Sequence, residues 1–204
     1  MTTLLLHGLG GSGVGHWQDY WLKALPDARF VEQHDWGTPD LDDWIATAAA
    51  AITTSPGATL VGHSLGAILI AHLAARLPDL PIAGALLVAP ADVEEQREAL
   101  VTIRGFAPLP LTPIPYRSIL VASRNDPYMR FDRAKVLASV WESHFVDLGH
   151  AGHINADSGY GPWLEGQLLI DYVNNRRTKP FLIAQGKDAS SRALLSPHAH
   201  AGSR

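Results

Sequence analysis

Cysteine is absent from this chain of 204 residues, which removes disulfides, a thiolate nucleophile and any thiolate metal site from consideration and fits a reducing compartment. Long apolar runs are missing as well. No stretch approaches the ~20 uninterrupted apolar residues of a membrane-spanning helix, and the most apolar run, residues 60–75, is broken by His63, Ser64 and His72. The start, Thr2-Thr3-Leu4-Leu5-Leu6-His7-Gly8, carries neither the basic segment nor the apolar core of a secretory signal, so a cytoplasmic location is expected. Basic clusters are lacking in the body of the chain: 16 Lys and Arg stand against 20 Asp and Glu for a net charge of -4, with no footprint for a phosphate backbone. Neither nucleic acid nor a membrane is therefore an expected partner. What is present, 47% hydrophobic and 18% charged residues, matches one compact domain able to bury a substantial core.

Short β-like runs at 2–6, 29–33, 59–62, 83–88, 118–122 and 144–146 alternate with helix-length amphipathic segments at 16–24, 41–53, 65–76, 131–141 and 162–174. That alternation predicts an α/β fold of about six mostly parallel strands flanked by helices. Gly84-Ala85-Leu86-Leu87-Val88 and Ile119-Leu120-Val121-Ala122 are apolar throughout, as strands buried on both faces must be. Asp40 is placed to cap the second helix. Residues 93–103 read as a short helix, followed by Pro108, Pro110, Pro113 and Pro115, a spacing that excludes a regular helix or central strand and predicts an extended surface loop. The insertion is too short for a cap domain. From Thr178 on, periodicity gives way to Ser, Lys, Arg and His, so the domain is expected over 1–177 and a partly disordered tail over 178–204, the alternative being that Phe181-Leu182-Ile183-Ala184 docks as a strand or latch.

Within this pattern, Gly62-His63-Ser64-Leu65-Gly66 stands between a β-run and a helix start. A serine hydroxyl is a poor nucleophile, and such a Gly-x-Ser-x-Gly corner lifts it above the sheet end where a base can reach it. Side chains at Gly62 and Gly66 would crowd the corner, and glycine tolerates unusual backbone angles there. The base and its orienting acid should follow in the order acid, then histidine. Asp126 lies in Ser123-Arg124-Asn125-Asp126-Pro127-Tyr128, just after a strand, with Asp92 as a rival and a structural turn as the plainer reading. His153, in Gly149-His150-Ala151-Gly152-His153-Ile154-Asn155 after the next strand, is the candidate base. His150 and His153 also invite a metal reading, but no companion Cys, Asp or Glu stands at a zinc-ligand spacing, and neither metal nor cofactor is expected.

The oxyanion donors should be the N–H of Leu65, after the nucleophile, and of Leu9, in the glycine-rich loop His7-Gly8-Leu9-Gly10-Gly11-Ser12-Gly13. That loop fits a dinucleotide fingerprint only loosely, with Asp35 as a poorly placed acidic partner, and no Gly-Lys-Ser/Thr phosphate loop is present.

These blocks, with His16-Trp17 and Ser158-Gly159-Tyr160-Gly161-Pro162-Trp163, together resemble a small α/β-hydrolase, and more narrowly the serine hydrolases typified by the retinoblastoma-binding protein nine family. The first strand is then similar to the third strand of larger members. The resemblance spans Thr2 to about Arg176 and implies Ser64, Asp126 and His153 as a catalytic triad. The expected activity is cleavage of small carboxylic esters in a shallow pocket, roofed at most by residues 108–115, with Trp17 or Trp163 as substrate contacts unless they serve packing. An amidase or peptidase of the same fold, or a protein-binding module on a hydrolase scaffold, are the alternatives.

Overall fold

The computed structural model of the protein describes residues 1–174. The expected tail over 178–204 and its latch lie outside the described residues. Six strands, β1 (Thr3–Leu6), β2 (Ala28–Phe30), β3 (Ala58–His63), β4 (Ile82–Val88), β5 (Arg117–Ala122) and β6 (His144–Asp147), form one sheet of order β2-β1-β3-β4-β5-β6. Every pairing in it is parallel. The helices are α1 (Trp17–Ala24), α2 (Leu41–Thr53), α3 (Leu65–Arg76), α4 (Phe131–Val140) and α5 (Leu164–Asn174).

Strand side chains alternate between two cores, as the period of two requires. Leu4, Leu6, Leu60, Ala85, Leu87 and Leu120 face one core, together with Trp44 of α2, Ile68 of α3 and Leu137 of α4. Leu5, Val61, Leu86, Val88 and Val121 face the other, with Trp17 and Trp21 of α1 and Ile170 of α5. The unbroken apolar runs of the sequence are therefore the signature of a sheet covered on both faces. Asp40 caps α2 as its position suggested, accepting from the N–H groups of Asp42 and Asp43.

Two expectations shift. The second strand ends at Phe30, because only Val31 N–H beyond it still reaches β1, bonding Leu5 O at 2.9 Å. The segment expected as a helix over 93–103 is a 3-10 stretch at Glu98–Phe106, its apolar Leu100, Ile103 and Phe106 turned inward. Residues 107–116 form neither helix nor strand, as the proline spacing required, and Leu109 and Ile114 anchor them in the core. No described helix is long and apolar enough to cross a membrane.

The strand order decides where chemistry can happen. From β1 the chain moves outward to the edge strand β2, then returns to β3 on the opposite side of β1, so the crevice at the carboxyl ends of β1 and β3 is the topological switch point. The loops after those two strands carry the glycine-rich run and Ser64.

Candidate active site

Ser64 is the one residue between β3 and α3, and its backbone stands at φ 55°, ψ -117°, a conformation disfavoured for any L-residue. Its N–H bonds Val88 O at 3.0 Å, and its carbonyl accepts from the N–H groups of Ala67 and Ile68 in the first turn of α3. The neighbouring glycines are needed for space rather than for dihedral freedom. A Cβ on Gly62 would stand 2.5 Å from Gly66 O, and one on Gly66 would meet His7 O at 2.6 Å and crowd Leu6 O as well. Neither glycine has positive φ; the strain is carried by Ser64 itself. Because the obstacles are backbone atoms, Gly66→Ala is expected to cost about 3 kcal/mol or more and to abolish activity, readable as a lowered urea midpoint alongside lost turnover. An unchanged midpoint would show that the corner can relax.

Across the crevice, His153 Nδ1 lies 3.0 Å from both carboxylate oxygens of Asp126. The pair is buried, with side-chain exposures of 7% and 2%. Asp126 Oδ1 also accepts from Tyr128 N–H at 2.8 Å, which fixes the carboxylate plane. A carboxylate can only accept, so Nδ1 carries the proton and Nε2 is left unprotonated, the tautomer a general base needs. Asp92 is directed elsewhere: it forms an ion pair with Arg133 at 2.7 Å and caps Glu94 N–H. His150 is exposed on the same loop, apart from the buried His153.

Ser64 and His153 open on one cavity of about 240 Å³. No hydrogen bond joins Ser64 Oγ to His153 among the described residues, which is common before a substrate draws the groups together. Leu9 and Leu65 line the cavity beside Ser64. Neither of their N–H groups has a protein acceptor among the described residues, whereas Gly10 N–H bonds Trp36 O and Gly11 N–H bonds Gly8 O. A Cβ on Gly8 would stand 2.9 Å from Ser64 Cβ, so the glycine lets the Leu9 loop close on the serine.

The remaining walls differ from expectation. The roof is the 3-10 stretch, through Ala99, Leu100 and Ile103, not residues 108–115. Trp17 and Trp163 do not line the cavity. Trp17 is fully buried and Trp163 is 9% exposed, 5.4 Å apart between ring centroids, in the core beneath α1 and α5. Large rings gain more from buried area than from contact with a small open site. Their position still serves the site: Trp17 Nε1–H donates to Ile154 O at 2.8 Å, and Trp21 Nε1–H to Pro162 O at 3.0 Å, which ties the His153 loop to α1.

Several residues hold positioning roles that the sequence did not assign, although Ser123, Asn125, Asn155 and Ser158 fall within its motif blocks. Ser123 Oγ accepts from Ala151 N–H and Asn125 Oδ1 from Gly152 N–H, so the Asp126 loop and the His153 loop share a hydrogen-bonded seam. Ser158 Oγ accepts from His153 N–H and donates to Asn155 Oδ1. Gln18 is fully buried and bridges the glycine-rich loop to the strand ends, accepting from Ser12 Oγ and donating to Leu6 O and Val61 O.

Histidines crowd the crevice. His63 bonds the carbonyl of His153 at 2.9 Å, and since a carbonyl only accepts, its Nε2 is protonated. Burial holds its pKa well below the ordinary value. The same cause lowers His7 and His16 to about 4, leaving all three neutral near pH 7.

A sequence profile described as serine hydrolase matches residues 3–172. A structure described as a YdeN-like hydrolase from Pectobacterium atrosepticum is 33% identical, with 85% of this chain and 90% of that one superposed at a TM-score of 0.75. The ydeN gene product of Bacillus subtilis is 21% identical over 85% of this chain and 99% of its own, with a TM-score of 0.68. The thioesterase domain from a curacin biosynthetic pathway, at 15% identity over 83% of this chain and 90% of its own and a TM-score of 0.59, shares the fold. No curated protein matches the chain.

Proposed function

The chain belongs to the serine hydrolase family, and from that premise we propose that it cleaves small carboxylic esters through Ser64, His153 and Asp126. The observation that carries this reading is the strained Ser64, at φ 55°, opening on the same cavity as a buried His153 whose Nδ1 is engaged by Asp126. His153 Nε2 takes the Ser64 proton as Oγ attacks the ester carbonyl, and Asp126 holds the imidazolium that forms. The N–H groups of Leu65 and Leu9 receive the oxyanion. The tetrahedral adduct collapses as His153 protonates the departing alcohol, leaving an acyl group on Ser64. Water then repeats the sequence in reverse, giving its proton to His153 and releasing the acid.

A cavity of about 240 Å³ falls below the usual size of drug-like ligand sites, ~300 Å³ and above, which supports small substrates. The backbone strain at Ser64 argues against a scaffold kept only for protein binding, since such strain costs ~1–3 kcal/mol and persists where function uses it.

The test is reaction of the protein with a fluorophosphonate probe, read by intact mass and peptide mapping. A single adduct on Ser64 is the expected result. No adduct on the folded protein would overturn the nucleophile assignment.

A further inference from the structure

His153 is held by its backbone as well as by Asp126. Its N–H donates to Ser158 Oγ at 3.1 Å, and its carbonyl accepts from His63 Nε2–H at 2.9 Å. His63 is the last residue of β3 and stands directly before Ser64. Among the described residues, this is the one hydrogen bond that joins residues 62–66 to the loop 149–155. Since Ser64 Oγ and His153 share no bond of their own, their spacing is set by the backbones that carry them.

Packing does not account for a histidine at this position. Strand alternation turns His63 to the face of Val61, where the Trp17 ring meets it edge-on at 5.8 Å between centroids. The residue is 5% exposed. Leucine would fill such a place without desolvating an imidazole, so the bond to His153 O is what the ring contributes.

The segment that it holds is strained. Ile154, next after the base, stands at φ 49°, in the left-handed region where a β-branched residue is an outlier. The peptide between His153 and Ile154 is engaged at both ends, its carbonyl by His63 and its N–H by Ala151 O at 3.1 Å. The Ile154 carbonyl in turn accepts from Trp17. A conformation of this kind persists only where its surroundings over-determine it, and β3 supplies one of those constraints through His63.

We propose that His63 is a positioning residue for ester cleavage: its Nε2–H bond to the His153 carbonyl holds the base within reach of Ser64 Oγ, from the residue next to the nucleophile. This deepens the reading of Ser64, His153 and Asp126 as a triad and rests on it. The bond aims the base and makes no use of the substrate, so its loss falls on kcat and not on KM.

The test measures single-turnover and steady-state kinetics on a short-chain aryl ester for wild type, His63→Leu and His63→Gln, each alone and combined with His153→Ala. A urea unfolding curve shows that each variant is folded. His63→Leu, of similar bulk but without a donor, lowers kcat about 10- to 100-fold, the scale of a ~1 Å misplacement of a reacting group, with KM little changed. His63→Gln, whose amide N–H reaches toward the same carbonyl, recovers most of that loss. In the His153→Ala background His63→Leu has no further effect, because a residue that acts through the base has nothing left to act on. Should leucine prevent folding, His63→Asn replaces it, the same amide as Gln but one methylene too short to make the bond. An unchanged kcat in His63→Leu, a loss as large in His63→Gln, or an equal loss in the His153→Ala background overturns the assignment and leaves the triad standing. Undiminished turnover in His153→Ala alone overturns the triad and this inference with it.

Discussion

Ser64→Ala is expected to lower ester turnover by roughly 10⁴- to 10⁶-fold, the usual cost of removing the nucleophile from a triad, with no loss of folded stability. Ser64 contributes no side-chain hydrogen bond to the cap of α3, so alanine deletes only the oxygen. The corner that strains its backbone is imposed by the approach of Gly62 and Gly66 to the chain around them, which the substitution leaves in place. Residual hydrolysis would come from the proposed oxyanion donors, the Leu9 and Leu65 N–H groups, which would still polarise a bound carbonyl. Steady-state kinetics on a short-chain aryl ester, with a urea unfolding curve beside them, read both halves. Turnover within tenfold of wild type would mean that another group attacks the substrate.

The second large effect belongs to Asp126→Asn, with a drop in kcat on the order of 10⁴ and little change in fold. The reason lies in the two bonds made by the carboxylate. Oδ1 accepts from Tyr128 N–H at 2.8 Å, and an asparagine must keep its carbonyl there. Its NH₂ then occupies the place of Oδ2, facing His153 Nδ1. Nδ1–H then meets a donor in place of one of its two acceptors. Only the carbonyl at the Oδ1 position, already shared with Tyr128 N–H, is left 3.0 Å away, so the tautomer protonated on Nε2, which cannot accept from Ser64, gains population. Asp92→Asn is the matched control, because the Asp92 carboxylate is engaged with Arg133 rather than with His153. A loss below tenfold in Asp126→Asn, or an equal loss in the control, would remove Asp126 from the proposed triad.

Much of this site was legible before the fold. The elbow could be read because its demands are local: a strand, a corner that excludes side chains at Gly62 and Gly66, and a helix start follow one another along the chain. Asp126 and His153 could be read because each falls in a loop at the carboxyl end of a strand, where a parallel sheet gathers its active groups. The two tryptophans mark the limit. Trp17 and Trp163 flank motif residues in sequence, yet α1 turns Trp17 beneath the sheet, against Trp21 and Trp163. Which side of a helix meets the cavity depends on its rotation about its own axis, and no sequence neighbour sets that.

What the sequence by itself determined was the alternation of buried strands and amphipathic helices, the strained serine corner and the chain order of serine, acid and histidine. These follow from backbone sterics and from a hydrophobic period read over a few residues. Only the tertiary structure decided that the cavity is walled by Leu100 and Ile103 from the 3-10 stretch and that Asp126 rather than Asp92 meets the histidine. Each of these is a contact between residues distant in the chain. It is set by the strand order and by close packing of helices on the sheet, which no local pattern encodes.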